Sequence, residues 1–224
     1  MMRPDPADQA APAPFSEPGR DCPLCPRLAA FRADLREKEP DWHNAPVPSF
    51  GRLDARLLVV GLAPGMKGAN RTGRPFTGDY AGDLLYETLG RHGFTSGAYG
   101  RSPDDGLALQ DCRIANAVRC LPPQNKPTPK EAHACRDFLV AEIAAMPRLR
   151  VILALGRISH EAVLRTLGER LAAWPFAHGA AHRIGAVEVA DSYHCSRYNT
   201  NTGRLTTEMF DAVIADVRRR LDAQ

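Results

Sequence analysis

The chain has 224 residues, 44% of them hydrophobic and 25% charged, with 19 prolines, 18 glycines and a formal net charge of +3. That is enough chain for one α/β domain with a sizeable core and too little for two full ones. No uncharged apolar run approaches membrane-spanning length, and residues 1–20 lack the basic start and apolar stretch of a signal peptide, so the expectation is a soluble, cytoplasmic protein without a membrane partner.

Taken in chain order, residues 1–20 read as a disordered tail rich in Pro and Ala, and residues 21–224 as a single domain. A helical segment is expected around 26–38. The runs Leu57–Leu62, Arg113–Val118, Val151–Leu155 and Ala186–Ala190 are short, apolar or β-branched, and bounded by Gly, Pro or polar residues, which predicts four strands of a mostly parallel sheet. Helical patterns lie between and after them at 81–92, 129–145, 158–170 and 204–222. Thr128-Pro-Lys-Glu131 carries an N-cap, a proline in the first turn and an acid three residues past the cap. Ligands of an open α/β sheet bind beyond the carboxyl ends of its strands, so the loops after Leu62, Asn116 and Asp191 are expected to share one face.

Four of the six cysteines fall into two unlike pairs, Cys22-Pro-Leu-Cys25 and Cys120…Cys135, the second separated by fourteen residues that include a proline-rich run. A zinc ribbon normally repeats a tight CxxC knuckle. The looser second pair favours a [4Fe-4S] cluster on four thiolates, with structural zinc as the competing reading. Cys112 and Cys195 are expected to be buried thiols, since a disulfide is uncommon in a reducing compartment.

The charge is segregated. Residues 55–78, 112–130 and 192–207 hold ten of the 29 cationic residues and no acid, which leaves the rest of the chain net acidic. Three such stretches on one face would be an electrostatic footprint for a polyanion. The first holds all but the final Asp of the glycine-rich loop Gly61-Leu-Ala-Pro-Gly-Met-Lys-Gly-Ala-Asn-Arg-Thr-Gly-Arg-Pro-Phe-Thr-Gly-Asp79, which does not match a nucleotide P-loop. The second includes Ala115-Asn-Ala-Val-Arg-Cys120, and the third His194-Cys-Ser-Arg-Tyr-Asn-Thr-Asn-Thr-Gly-Arg-Leu205.

Together GLAPG…GANRTGRPFTGD, NAVRC, the CPLC pair with Cys120 and Cys135, and HCSRYNTNTGRLT resemble the iron-sulfur branch of the uracil-DNA glycosylase superfamily. The long first loop and the NTGRLT tail resemble family 5, also called type B, more than family 4. The resemblance spans roughly residues 20–220. It implies a three-layer αβα fold, a [4Fe-4S] cluster on Cys22, Cys25, Cys120 and Cys135, DNA as the partner of a monomer, and hydrolysis of the N-glycosidic bond of a flipped deaminated base.

The residues suit that chemistry. A base must leave the stack to be attacked, and its pocket needs a stacking ring and groups matched to the pairing edge. Phe76 offers the ring. The Asn116 amide can accept from uracil N3–H and donate to O4, a pattern that cytosine reverses. His194, one of seven histidines, can donate to the base O2 as negative charge develops there. Gly61, Leu62, Ala63 and Gly65 would line the same pocket.

Where better-known branches carry a polar or acidic residue close to Gly61, this chain has Leu62, Ala63 and Pro64. The family 5 resemblance points instead to Asp79 as the group that orients water or stabilises the sugar cation, a role compatible with capping the helix that starts near Tyr80. Gly65 leaves space for hypoxanthine, xanthine or ethenocytosine besides uracil. Cys195 stands where related motifs often carry proline. Lys67, Arg71 and Arg74 are expected on phosphates. Arg197, Tyr198, Asn199 and Arg204 would form a DNA-penetrating loop in which Tyr198 wedges into the vacated stack. Two further readings are a non-catalytic iron-sulfur or zinc module that binds nucleic acid, and a nucleotide hydrolase, which the missing P-loop lysine disfavours.

Overall fold

A computed structural model describes residues 15–223. Residues 1–14 of the expected tail lie outside that range. Residues 15–20 form no helix or strand, but they are not detached from the domain, because Glu17 accepts from the Ser49 N–H and pairs with Arg113 and Arg119.

Helix α1 (Pro26–Lys38) leads by a long connection to strand β1 (Leu57–Gly61), then to the short helix α2 (Ala69–Thr72) and α3 (Tyr80–Arg91). A minor ribbon of β2 (Thr95–Ser96) and β3 (Ala108–Leu109) precedes β4 (Cys112–Asn116). The chain continues through α4 (Pro129–Ala144), β5 (Val151–Leu155), α5 (Arg157–Thr166), β6 (Ala181–Ile184), β7 (Val187–Ser192), the short α6 (Arg197–Asn201) and α7 (Thr207–Asp222). The main sheet has the order β4-β1-β5-β7-β6, parallel throughout except for β6, which runs antiparallel to β7 at the edge.

The sheet is therefore mostly parallel, as expected, with five strands instead of four. Edge strand β6 reads Ala-His-Arg-Ile, and its exposed Arg183 and half-buried His182 break the apolar pattern that marks the other strands. Charged and short edges of this kind discourage pairing with other chains. The helix expected to reach residue 170 ends at Thr166, and Gly168 just beyond it has a φ of 78°.

Strands β1, β4 and β5 are buried at every position, so their side chains feed two cores by simple alternation. Leu57 and Val59 meet Leu85 and Leu89 of α3 and Phe210, Ile214 and Val217 of α7. Leu58 and Val60 meet Leu139 of α4 and Val163 and Leu164 of α5. Helices thus cover both faces, giving three layers. Helix α4 begins where its sequence signals: Thr128 accepts from the Glu131 N–H, and the Glu131 carboxylate accepts from the Thr128 N–H. Among the described residues, no helix is long and apolar enough to cross a membrane.

Candidate active site and cysteine corner

A pocket of about 790 Å³ opens beyond the carboxyl ends of β1, β4 and β7, lined by residues of all three expected loops. Leu62, Ala63, Gly65, Lys67, Phe76, Asp79, Asn116, His194 and Arg197 all border it. Gly61, expected in the same pocket, does not itself line it but packs behind Asn116 and Phe76, where a Cβ would lie 2.4 Å from Asn116 Oδ1 and 2.7 Å from Phe76 Cζ.

Asn116, the last residue of β4, is 3% exposed, and its Oδ1 has no hydrogen-bond partner. A buried amide oxygen left unpaired costs about 1–3 kcal/mol, so this atom is the mark of a site that awaits a donor. Beside it Phe76 adopts a left-handed backbone, φ 51°, which a bulky residue takes only under constraint. The constraint is visible. The Phe76 carbonyl accepts from Tyr99 Oη, the Pro75 carbonyl accepts from Tyr86 Oη at 2.6 Å, and Gly82 of α3 has no Cβ to block the Phe76 carbonyl. The Phe76 and His194 ring centroids are 5.9 Å apart, with planes inclined by 30°.

His194 follows β7 and keeps part of its surface open to the pocket, yet surrounding protein pushes its pKa down to about 4. It is therefore neutral at physiological pH and can donate one N–H without carrying charge into the site. Its carbonyl accepts from Asn199 Nδ2 at 2.8 Å. Cys195, in the place of the usual proline, is fully buried and donates its S–H to the Ala81 carbonyl.

Asp79 caps α3 and borders the pocket. One carboxylate oxygen accepts from the Gly82 N–H at 3.1 Å and caps α3, while Oδ2 lies toward Gly65 and Gly68, where an added Cβ would come within 3.0 and 2.1 Å of it. Burial raises its pKa above the usual aspartate value. The loop that presents these groups is braced from behind: Asn70 Nδ2 donates to Asn44 Oδ1, and the His43 and Asn44 N–H groups donate to the Arg71 and Asn70 carbonyls.

The cations divide into two sets. Lys67, Arg71, Arg197 and Arg204 are exposed, with Arg197 stacked over Tyr80 and Arg204 over Tyr193; Tyr198 is 72% exposed on α6. Arg74 is not among them. Expected on a phosphate, it is 6% exposed, paired through two nitrogens with Asp105, and enclosed by the rings of Phe50, Tyr86 and Tyr99. Its pairing holds the Asp105 carboxyl well below the usual carboxylate range. Arg74 thus supports the backbone under Phe76. Asn199, expected on DNA, likewise spends its amide N–H on the His194 carbonyl. Three pocket residues lie outside the expected loops: Tyr80 and Ala81 at the start of α3, and Asn125, from the proline-rich run, which has a φ of 56°.

A few residues from Asn116, the structure gathers Cys22, Cys25, Cys120 and Cys135 around one narrow apolar pocket walled by Leu28, Val118 and Phe138. Burial, with the neighbouring cysteines adding, pushes the thiols of Cys25, Cys120 and Cys135 up to about 11. Such thiols stay protonated unless a metal displaces the protons. Arg32 Nη1 donates to Cys120 Sγ at 3.5 Å and the Arg119 N–H to Cys135 Sγ at 3.4 Å, contacts suited to thiolate sulfur. Among the described residues, no three His, Cys, Asp or Glu side chains are grouped as ligands of a single metal ion. The four cysteines line the same pocket. Behind them Glu142, fully buried, pairs with both Arg113 and Arg119, and Glu17 pairs with the same two arginines from the N-terminal side.

An αβα domain whose pocket combines a stacking ring, an unpaired amide and a buried neutral imidazole has the anatomy of an enzyme that acts on an extruded base. The chain belongs to the uracil DNA glycosylase superfamily, whose family model matches residues 48–218. Within that superfamily it is similar to type-5 uracil-DNA glycosylases: that of Thermus thermophilus is 48% identical over 88% of this chain and 93% of its own, and that of Pyrobaculum aerophilum 42% over 91% and 88%. A type-4 uracil-DNA glycosylase, also of Pyrobaculum aerophilum, is 35% identical over 67% of this chain and 63% of its own.

Proposed function

We propose that this protein hydrolyses the N-glycosidic bond of uracil in DNA and leaves an abasic site. The observation that carries the reading is the unpaired Asn116 Oδ1 buried next to Phe76. Uracil entering the pocket would stack on Phe76, give its N3–H to Asn116 Oδ1 and take the amide N–H at O4. Cytosine presents an acceptor at N3 and a donor at its exocyclic nitrogen, so both contacts would fail.

As the C1′–N1 bond breaks, its electron pair stays with the base and negative charge spreads to O2. His194, neutral at working pH, donates to that oxygen; stabilising developing charge in a pocket shielded from water is the larger part of such catalysis. The Asp79 carboxylate faces the positive sugar and orients the water whose oxygen bonds to C1′. Leu62, Ala63 and Gly65 also line the pocket, small enough that purine bases such as hypoxanthine or xanthine belong to the proposed range. Lys67, Arg71, Arg197 and Arg204 take phosphates, and Tyr198 enters the stack. Cys22, Cys25, Cys120 and Cys135 hold a [4Fe-4S] cluster, which supplies a rigid cross-link between the N-terminal segment and the domain.

Incubation with a uracil-containing duplex followed by alkali should give strand cleavage at the uracil position and none in the thymine control. Binding without cleavage would instead support a nucleic-acid-binding module. Purified protein should be brown and contain about four iron and four sulfide per chain, whereas one zinc and no colour would replace the cluster while leaving the pocket chemistry standing.

A further inference from the structure

His178 lies half-buried between α5 and β6, behind the loop that carries His194. Strand β7 ends at Ser192, so the Tyr193 N–H falls beyond the ladder and needs an acceptor from elsewhere. It donates to His178 Nδ1 at 3.1 Å. The two rings stack, with centroids 4.9 Å apart and planes 13° from parallel, and the Arg204 guanidinium lies 4.7 Å from the Tyr193 ring. Elsewhere the same loop is held by fixed groups: the Gly156 N–H donates to the Ser192 carbonyl at 2.7 Å and Asn199 Nδ2 donates to the His194 carbonyl. The buried Cys195 also donates its S–H to the Ala81 carbonyl, and among these described anchors of the loop His178 is the one imidazole.

We propose that His178 is a positioning residue for His194: its neutral imidazole, accepting the Tyr193 N–H at Nδ1, sets the backbone from which His194 reaches the base, and protonation of His178 releases it. The inference rests on the uracil hydrolase reading. A proton on Nδ1 would set donor against donor. The other nearby acceptor is Ser192 Oγ at 3.5 Å, whose own hydrogen goes to the Tyr193 carbonyl.

Few charges face the ring. Arg204 lies against Tyr193, Asp191 of β7 has Oδ1 engaged by His160 while its buried Oδ2 has no hydrogen-bond partner and lies 3.7 Å from His182 Nε2, and Asp216 of α7 is engaged by Arg219 and Arg220. Burial lowers the His178 pKa in spite of a hydrogen bond to the Met209 backbone. Because the folded value lies below the unfolded one of about 6.5, the neutral form holds the loop at pH 7, and its contribution fades as pH falls below that value.

Three variants separate stacking from hydrogen bonding. His178→Asn keeps an acceptor near the Nδ1 position and cannot titrate, His178→Phe keeps the stack without the acceptor, and His178→Ala keeps neither. Single-turnover uracil release at neutral pH should fall about tenfold or more in the Phe and Ala variants, the scale of a misplaced catalytic group, with duplex binding unchanged. The Asn variant should restore most of that loss and remove from the wild-type profile the component of the acid limb that belongs to His178, leaving the component that belongs to Asp79. In the wild type, the Tyr193 amide should be protected from hydrogen exchange at pH 7 and lose protection as His178 titrates. A Phe variant as fast as wild type, an Asn variant no better than Ala, or a Tyr193 amide indifferent to pH would overturn the proposal. If the wild type releases no uracil, the hydrolase reading fails and the Tyr193 amide alone decides the positioning role.

Discussion

The base pocket and the cysteine corner are joined by the short segment Asn116–Cys120, yet they treat polar groups in opposite ways. In the pocket an amide oxygen is buried without a partner, a phenylalanine backbone is held left-handed, and a histidine is kept from protonation. In the corner the buried carboxylate is answered, with Glu142 bridging Arg113 and Arg119 and Glu17 pairing with the same two arginines, although Arg119 Nε has no partner and Arg32 gives its N–H groups to Cys120 Sγ and the Cys22 carbonyl and not to a carboxylate. Unpaired polar groups cost stability and mark where a ligand completes the structure, whereas a balanced ion network holds a site in place. The comparison predicts that substitutions in the pocket change rate more than stability, and that substitutions in the corner do the reverse.

The largest effect should come from Asp79→Asn. Asparagine caps a helix as well as aspartate does, so the melting temperature should stay near wild type, while loss of the charge facing the sugar should slow single-turnover uracil release by roughly 10²–10³-fold. Burial raises the Asp79 pKa, so the carboxylate is lost on acidification from a higher pH than an exposed aspartate would be. The wild-type rate should fall with it, and the variant's residual rate should lack that component. A variant with the wild-type rate would reduce Asp79 to a helix cap and break the distinction between the two regions.

Glu142→Gln tests the other side. The fully buried carboxylate serves two arginines, and removing one partner from a buried ion network typically costs about 3–5 kcal/mol. At a few degrees per kcal/mol for a domain of this size, the melting temperature should fall by roughly 10 °C. If the corner holds the proposed cluster, its iron should be lost faster on dialysis, because Arg119, left with Glu17 as its charged partner, also gives its N–H to Cys135 Sγ. Uracil release per folded molecule should change little. A rate loss as deep as that of Asp79→Asn would show that the corner participates in the chemistry.

Much of this architecture was legible because strands buried on both faces leave continuous apolar runs, and because the three loops sit at strand ends that parallel topology brings together. The cap at Thr128 was equally local. Edge strand β6 was not, since a half-exposed strand carrying His182 and Arg183 has no apolar run to announce it. The charge map overcounted for a related reason. Arg74, Arg113 and Arg119 all lie in stretches free of acids, but their partners Asp105, Glu17 and Glu142 come from distant parts of the chain. A linear window registers the missing neighbour and not the one that folding supplies. The same limit hid Asn125 and His178, whose significance lies in what they approach.

The smallest effect sharpens this division between cations. Arg71 is exposed on the loop that rims the pocket, and if it neutralises one phosphate, Arg71→Ala should lower the slope of log binding constant against log salt by about one and weaken binding to all sequences alike. Arg74 is three residues away and buried against Asp105. Arg74→Ala should leave the salt slope unchanged, because no counterion is released from a phosphate it never meets. Instead it should lower the melting temperature and slow base release, since the aromatic cage of Tyr86 and Tyr99 that fixes Phe76 through its backbone loses its central charge. Salt titrations of duplex binding, run in parallel on the two variants, decide the matter: equal drops in slope would mean that Arg74 swings out to the DNA, and that the buried pair with Asp105 is a resting arrangement and not a permanent support.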